Sequence, residues 1–201
     1  MTAVKVLAFC GSLNPQSRTE LAMEIAAAAA AGAGAQVESV HLKEYDLPHL
    51  YAPNTGSAEH VEKLKTTFRR ADALLIATPE YHGSFSGALK NAFDLMGFDE
   101  FQGKMAALIG VAGGALGATN SLNHLRQVCR QLHAWVLPDQ VSVANARGAF
   151  DENGRPTDER VAQRLKTLGV QLVKFAALHR EASASPFVQM WEQLADNPGG
   201  E

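Results

Sequence analysis

The sequence predicts a doubly wound α/β fold, in which helices cover both faces of a parallel β-sheet. Two observations predict it. Short, almost wholly apolar segments recur along the chain, as strands buried on both faces require. Each is followed by polar residues with glycine or proline and then by a helical pattern. The 201 residues show no repeat or long linker, so we predict one domain over residues 1–182 and a C-terminal extension over 183–201.

Five apolar segments are predicted to form the sheet. Their alternation with helices is most simply satisfied by a three-layer α/β/α sandwich with strand order 2-1-3-4-5. The last segment is interrupted near Pro138, whose ring nitrogen cannot donate a hydrogen bond to a neighbouring strand. The five segments span residues 4–10, 37–42, 72–78, 105–112 and 133–144.

Five helices are predicted beside these strands, and a short one near the terminus. The first begins near Arg18, is rich in alanine and ends at Gly32 and Gly34, as helices that stop at glycine do. The others are expected over 57–70, around 88–96 and 122–132, and over 157–180. The terminal helix is suggested by the helical spacing of Phe187, Met190, Trp191 and Leu194, before 197–200.

The composition excludes several partners. Eighteen Lys and Arg residues stand against 21 Asp and Glu, a net charge of −3, and no basic block suits nucleic acid. No apolar stretch approaches the ~20 residues that cross a bilayer, and no signal-peptide pattern opens the chain. We therefore expect no membrane partner and a cytoplasmic location. Cys10 and Cys129 are expected to be core residues rather than a disulfide framework.

A ligand is expected at the carboxyl end of the sheet. In open α/β sheets, ligands bind beyond the strand ends near the point where strand order reverses, which here involves strands one, three and four. The loops that follow these strands, residues 11–19, 79–86 and 112–119, are also the segments richest in Gly, Ser, Pro and Asn. This coincidence is the strongest physical argument for a site.

The first of these loops suits an anion. Gly11 permits a sharp exit from the strand, Ser12, Ser17 and Thr19 carry hydroxyls, and the next helix presents unpaired N–H groups and its positive dipole end. An ordinary strand-turn-helix with a Ser or Thr cap has the same pattern, so both interpretations stay open on this segment alone.

After the third strand, Tyr81 offers a flat apolar face to a planar ring.

At these residues the chain resembles the NAD(P)H-dependent FMN reductase family, a flavodoxin-like group that includes quinone, chromate and azo-dye reductases. The family's phosphate loop reads G-S-x-R-x-x-S-x-N. The chain matches it at Gly11, Ser12 and Ser17, whereas Asn14 replaces the Arg and Thr19 replaces the Asn. Both replacements still donate hydrogen bonds, so the resemblance implies that phosphate binding persists.

The family's second motif, P-E-Y-N-x-S-x-x-G-x-L-K-N-A-x-D, covers the segment after the third strand, with His82 at the Asn position. The segments 113–117 and 124–126 also resemble the family's third flavin-edge loop and the helix that follows it. The similarity runs over most of residues 4–180. The second motif is matched at Pro79, Glu80, Tyr81, Ser84, Gly87, Leu89, Lys90, Asn91, Ala92 and Asp94.

The resemblance implies an enzyme that passes a hydride from NADPH or NADH to bound FMN and electrons on to a small acceptor, such as a quinone, free flavin, azo dye or metal oxyanion. It implies that the first loop holds the FMN phosphate and ribityl chain, and that the other two frame the isoalloxazine ring. The implied cofactor-binding residues are Ser12, Asn14, Ser17, Arg18, Thr19, Pro79, Glu80, Tyr81, His82, Gly83, Gly113, Gly114 and Ala115.

No catalytic side chain and no metal ion are predicted, because the cofactor carries the redox chemistry and the protein positions the rings. His82 either tunes the flavin or gates access of the acceptor, or is simply a solvated or capping loop residue. For Glu80, backbone contacts from its segment are favoured over a role as general acid. The remaining histidines lack the spacing of a metal site; they are His41, His49, His60, His124, His133 and His179.

The main alternative is a flavodoxin-type electron carrier without its own nicotinamide site, although the usual acidic bias of such carriers is missing. A phospho-acceptor signalling domain would need acidic residues where Cys10, Gly11 and Ser12 stand. A hydrolase nucleophile elbow would need Ser at Phe85, and the segment 110–117 is not the G-x-G-x-x-G of a dinucleotide-binding domain.

The resemblance also implies a homodimer or homotetramer with flavin sites near the subunit boundary. An apolar helix face between strands four and five either contributes to such an interface or only covers the sheet, because periodicity does not distinguish the two. This face consists of Leu122, Leu125, Val128, Cys129 and Leu132.

Overall fold

The computed structural model describes residues 2–192. Its centre is a six-stranded sheet of order β2-β1-β3-β5-β6, with β4 paired to β3 outside that path. All neighbours along the path are parallel, so the predicted doubly wound α/β fold is confirmed. The strands are β1 (Lys5–Cys10), β2 (Gln36–His41), β3 (Ala73–Tyr81), β4 (Ser84–Phe85), β5 (Met105–Val111) and β6 (Trp135–Val143).

The predicted count of five strands was wrong because it missed β4; without β4, the strand order is the predicted one. The predicted third strand ended at residue 78, whereas β3 runs on to Tyr81 and pairs there with Ser84 in the antiparallel β4. The intervening His82 and Gly83 have φ values of 52° and 78°, as in a two-residue type I′ hairpin turn. Most of the predicted loop 79–86 is therefore a β-hairpin.

Seven α-helices flank the sheet within residues 2–192. The five main predicted helices correspond to α1, α2, α3, α5 and α6, and the prediction missed α4, a single turn. The short terminal helix is confirmed as α7, although Leu194 and the segment 197–200 lie outside the described residues. The helices are α1 (Arg18–Gly32), α2 (Ala58–Arg70), α3 (Gly87–Asp94), α4 (Phe98–Phe101), α5 (Thr119–Gln131), α6 (Glu159–Ala182) and α7 (Pro186–Glu192).

None of the helices within residues 2–192 is long and apolar enough to cross a membrane.

The predicted interruption of the last strand is confirmed. Ala106 pairs with Val136 but Leu108 pairs with Gln140, so β6 bulges outward around Pro138.

One face of the sheet is covered by α1 and α6, which pack through small residues. Ala26 and Ala30 of α1 are fully buried. A Cβ built on Gly169 of α6 would lie only 2.0 Å from the carbonyl oxygen of Ala26, so the two helices meet backbone to backbone. We call this the small-residue layer.

The opposite face is covered by α2, α3, α4 and α5, and its centre is a cluster of phenylalanine rings. Phe68 lies edge-on to Phe9 with ring centroids 5.0 Å apart, and Phe93 lies edge-on to Phe101 at the same separation. Leu122, Leu125 and Cys129 of α5 are fully buried in this face. The α5 apolar face thus covers the sheet. We call this side the aromatic layer.

Candidate functional site

The loops after β1, β3 and β5 are joined to one another at the carboxyl end of the sheet. The Ser86 hydroxyl, at the end of the hairpin, donates to the carbonyl oxygen of Gly11 at 2.7 Å. On the other side, the Ser121 N–H donates to the Glu80 carboxylate at 3.0 Å. The expected meeting of the three loops is therefore observed, and the hairpin lies in the middle.

The first loop presents a helix N-terminus. The Ser17 hydroxyl caps α1 by accepting from the Glu20 N–H at 3.1 Å. The N–H groups of Arg18 and Thr19, in the first turn, have no acceptor within the helix. Ser17 is therefore a cap, as one of the two interpretations predicts. Binding of an anion stays a prediction, supported by the remaining N–H donors and the positive dipole end of the helix.

The loop before this helix is shaped by its own side chains. The Ser12 hydroxyl accepts from the Asn14 N–H at 3.3 Å, and the Asn14 side-chain oxygen accepts from the Gln16 N–H at 2.9 Å. Ser12 is buried and Asn14 exposed. The loop is therefore ordered by hydrogen bonds rather than by packing, and Asn14 keeps its amide N–H₂ for a ligand.

Arg18 and Thr19 differ in their availability. Arg18 is half-buried, and within residues 2–192 no carboxylate lies within ion-pair distance of it. The neighbouring cation, Lys43, is paired with Glu20 at 2.6 Å. Thr19 is only 2% exposed, so its backbone N–H is a better candidate donor than its hydroxyl. Arg18 is thus a cation at the start of α1 without a carboxylate partner within the described residues.

The hairpin places its predicted site residues differently. Pro79 is buried in β3, whereas Tyr81 and His82 are exposed at the tip. The Glu80 carboxylate contacts the third residue of α5, whose N-cap Ala118 has no capping side chain. Glu80 therefore caps α5 from a neighbouring strand, which agrees with the lower weight given to it as a general acid.

Sequence reasoning missed Ser86 and Thr78 as parts of the site. The Ser86 N–H donates to the Thr78 hydroxyl at 3.1 Å, and the Ser86 hydroxyl accepts from the Leu89 N–H at 3.1 Å. Ser86 is thus the N-cap of α3 as well as the link to Gly11. A serine just before an apolar helical pattern is a recognisable cap signal, but it does not reveal the link across the sheet.

The third loop is open and built from small residues. Gly113, Gly114 and Ala115 are exposed, and a Cβ at either glycine would meet no atom within 4 Å. Gly117 has a φ of 71°, and a Cβ there would lie 2.4 Å from the Ser142 hydroxyl. The loop is therefore open at residues 113 and 114, and its end is held against β6.

A match to a family model decides among the candidate functions. The model of the NADPH-dependent FMN reductases matches residues 4–148. The chain belongs to this family. The expected class, an FMN-dependent NAD(P)H oxidoreductase, is confirmed, as are FMN and NAD(P)H as the expected cofactors.

Individual members of the family support this assignment. An NADPH azoreductase of Bacillus sp. is 39% identical over 111 residues, which are 54% of this chain and 62% of that protein. An NAD(P)H-dependent FMN reductase of Pseudomonas aeruginosa is 34% identical over 165 residues, 80% of this chain and 88% of that protein. An FMN-dependent NADPH-azoreductase of Staphylococcus aureus is 32% identical over 156 residues, 75% and 82% of the two chains.

Solved structures agree with the fold. FerB of Paracoccus denitrificans, a flavoenzyme NAD(P)H:(acceptor) oxidoreductase, has a TM-score of 0.71 at 28% identity, covering 88% of this FMN reductase and 99% of FerB. A flavodoxin from the domain Archaea has a TM-score of 0.61 at 13% identity, covering 87% and 99% of the two chains, and shows the shared fold alone.

The residues of this FMN reductase fit its cofactor. FMN has an anionic phosphate and a flat, largely apolar ring system. The first loop offers N–H donors and the unpaired Arg18, whereas the hairpin tip and the loop 113–115 offer an open surface beside them. Within residues 2–192, no group of three potential metal ligands is found.

Proposed function

We propose that this FMN reductase holds FMN across the three joined loops and reduces a small acceptor with electrons from NAD(P)H. The acceptor classes considered are a quinone, free flavin, an azo dye and a metal oxyanion. The observation that carries the proposal is the pair of hydrogen bonds from Ser86 to Gly11 and from Ser121 to Glu80. They connect the hairpin both to the loop before α1 and to the start of α5, which supports one shared site for the cofactor.

At the phosphate end, the Arg18 and Thr19 N–H groups and the Arg18 guanidinium would bind the FMN phosphate, because charged donors at a helix N-terminus bind anions strongly. Ser12, Asn14 and Ser17 would complete this end and contact the ribityl chain. Support comes from the order of the loop, whose side-chain hydrogen bonds already fix its shape.

At the ring end, the segment 79–83 and the loop 113–115 would frame the isoalloxazine ring. FMN, when bound, supplies the hydride chemistry itself. The chain's own task is then to hold the two reacting rings in contact and to donate backbone hydrogen bonds. Glu80 is occupied with capping α5, which supports a site whose reduction step uses no acidic side chain.

The first experiment is anaerobic visible spectroscopy of protein reconstituted with FMN and desalted, followed by NADPH and, separately, NADH. Retained flavin absorbance that bleaches rapidly is expected. The faster donor is then the preferred one. Retained flavin that does not bleach would favour the electron carrier, and a protein that retains no FMN would overturn the proposed site.

The phosphate end is tested by Arg18→Gln with Arg130→Gln as its matched control. Arg130 is an exposed arginine in the last turn of α5. We expect Arg18→Gln to weaken FMN binding by about tenfold, which corresponds to ~1.4 kcal/mol for a charge-assisted contact. Arg130→Gln is expected to leave it unchanged. Equal affinities in all three proteins, measured by flavin fluorescence quenching, would remove Arg18 from the site.

We also propose a homodimer or homotetramer in the cytoplasm, with residues 183–201 as an extension of the domain. Support for association comes from Leu50 and Tyr51, which are 47% and 93% exposed. Their loop is held in place because the Asn91 side chain donates to the Pro48 carbonyl at 3.0 Å. Light scattering on the eluting protein gives the mass, and a monomer at working concentration would contradict the proposal.

A further inference from the structure

Two histidines of the chain have a left-handed backbone conformation, and only one of them is compensated by packing. His82 has a φ of 52° and His133 a φ of 62°, a conformation that suits Gly and Asn better than a bulkier side chain. The His133 ring packs on Phe98 with centroids 4.4 Å apart. The His82 ring is exposed, and within residues 2–192 it has no hydrogen bond, ion pair or ring contact.

The position of His82 is nevertheless fixed by its surroundings. The hairpin that carries it is held to α5 by the Ser121–Glu80 bond and by a 3.1 Å contact between the Ser84 hydroxyl and His124 Nδ1. Ser86 ties its other end to the first loop. An imidazole without a structural role is thus held on a rigid turn at the mouth of the proposed flavin site.

We propose that His82 donates a proton to the electron acceptor, an assignment that rests on the proposed FMN site. A quinone becomes a hydroquinone by gaining two electrons and two protons. NAD(P)H provides both electrons and one proton as a hydride, delivered through the cofactor. The second proton leaves the His82 imidazolium: its N–H bond breaks, an O–H bond forms on the acceptor, and water reprotonates the neutral imidazole.

The other titratable groups of this region are less suited to that task. Glu80 accepts from the Ser121 N–H, and His124 contacts the Ser84 hydroxyl. Tyr81 is half exposed, and a phenol is a far weaker acid than an imidazolium. His82 is therefore the proton-donating side chain at the hairpin tip that has no hydrogen-bond or ion-pair partner within residues 2–192.

The test compares two acceptors in wild type and His82→Asn. A quinone needs the second proton, whereas ferricyanide takes one electron and no proton. We expect the ratio of quinone to ferricyanide kcat/KM at pH 6 to fall by about 100-fold in the variant, the low end for general acid catalysis. In wild type this ratio should decline as the pH rises, and in the variant it should stay flat. Free imidazole should partly restore quinone reduction in His82→Gly.

Two measurements without turnover separate this role from a structural one. In the proposed site the segment 79–83 contacts FMN through its backbone, and Asn tolerates the backbone conformation of residue 82 well. The FMN dissociation constant of His82→Asn should therefore stay within about threefold of wild type, and its urea midpoint should be equal or higher. His133→Asn is the matched control, since it changes the same residue type in the same conformation at the opposite end of the sheet. It should lower the urea midpoint and leave the acceptor ratio unchanged.

Each other outcome overturns the assignment. An unchanged acceptor ratio, or an equal fall with both acceptors, would show that His82 donates no proton to the quinone. Loss of FMN by the variant would show that the His82 side chain, and not only its backbone, binds the cofactor, and would overturn its role as proton donor. Failure of the wild type to retain FMN or to be bleached by NAD(P)H is a different result, because it removes the proposed function and not only the role of His82.

Discussion

The two helix layers position the two halves of the site by opposite means. In the small-residue layer, Gly169 lets α6 approach the backbone of α1 at Ala26, so the position of α1, whose N-terminus is the proposed phosphate site, is set by helix-to-helix contact. In the aromatic layer, contacting rings around Phe68 and Phe93 hold α2, α3 and α4, and Ser86 is the N-cap of α3. We therefore expect the phosphate end of the site to be disturbed by substitutions that add atoms to the small-residue layer. The ring end should be disturbed by substitutions that remove atoms from the aromatic layer.

The largest effect is expected in the aromatic layer. Phe68 is fully buried and contacts the rings of Phe9, Phe93 and Phe101. Phe68→Ala should lower the free energy of unfolding by about 3–5 kcal/mol through lost burial and a residual cavity. Urea unfolding measures this change. Phe187→Ala, at a side chain that is 69% exposed, should stay within about 0.5 kcal/mol of wild type, and equal losses in both variants would contradict the layer's assignment.

In the small-residue layer, adding one methyl group should suffice. Gly169→Ala places a Cβ 2.0 Å from the Ala26 carbonyl oxygen, so α1 and α6 must separate. We expect a loss of about 1–3 kcal/mol in the free energy of unfolding, as for other overpacked cores. FMN binding should also weaken, because the proposed phosphate site includes the first residues of α1.

Gly32→Ala is the matched control for this change. Gly32 lies in α1, and a Cβ there would meet no atom within 4 Å. Alanine should therefore stabilise the helix by up to ~1 kcal/mol. Urea midpoints that move in the same direction for Gly169→Ala and Gly32→Ala would show that helix propensity, rather than the contact between α1 and α6, decides the outcome.

The sequence was sufficient to predict the layers but not the links between them. Apolar runs and glycine-containing exits predicted the strands of the parallel sheet, and the start of α1 at Arg18 was confirmed. The two-residue strand β4 was missed because Ser84 and Phe85 show no alternating pattern of their own. The sequence pattern of the turn was also weak, because His82 occupies a position at which Asn or Gly is typical of a two-residue hairpin turn.

The site was predictable as three loops, whereas its internal hydrogen bonds were not. Ser86 and Gly11 are 75 positions apart, and Glu80 and Ser121 are 41 apart. Such contacts arise only once the parallel sheet has brought the strand ends together. In the sequence, Ser86 is therefore visible as a helix cap and Glu80 as an isolated acid, although both connect the hairpin to its neighbours.

A smaller effect is expected from Ser86→Ala, which tests the connection between the aromatic layer and the first loop. Loss of the N-cap should cost about 0.5–2 kcal/mol of stability. Because the same hydroxyl donates to Gly11, FMN binding should weaken as well. Ser57→Ala is the matched control: Ser57 caps α2 by accepting from the His60 N–H at 3.2 Å. It should show a similar stability loss with unchanged FMN affinity, and indistinguishable affinities for the two variants would break the proposed link.

The smallest effect concerns one cysteine in each layer. Burial raises the pKa of the Cys10 thiol in the small-residue layer to about 11, and that of Cys129 in the aromatic layer to about 12. Both thiols should resist the disulfide reagent DTNB at pH 8 in the folded protein and react fully in denaturant, because the thiolate is the nucleophile. Fast reaction of either thiol in the folded protein would show that its layer opens locally.

The same shifts predict how stability depends on pH. A raised thiol pKa means that the folded chain holds the proton more tightly than the unfolded one. The resulting stabilisation is fully present below the ordinary value of 9.0 and is lost as the pH rises towards 11 for Cys10. The free energy of unfolding of wild type should therefore fall more steeply from pH 9 to 10.5 than that of Cys10→Ala with Cys129→Ala. If the free energy of unfolding fell equally with pH in both proteins, neither thiol would be shielded from water as well as the packing of its layer requires.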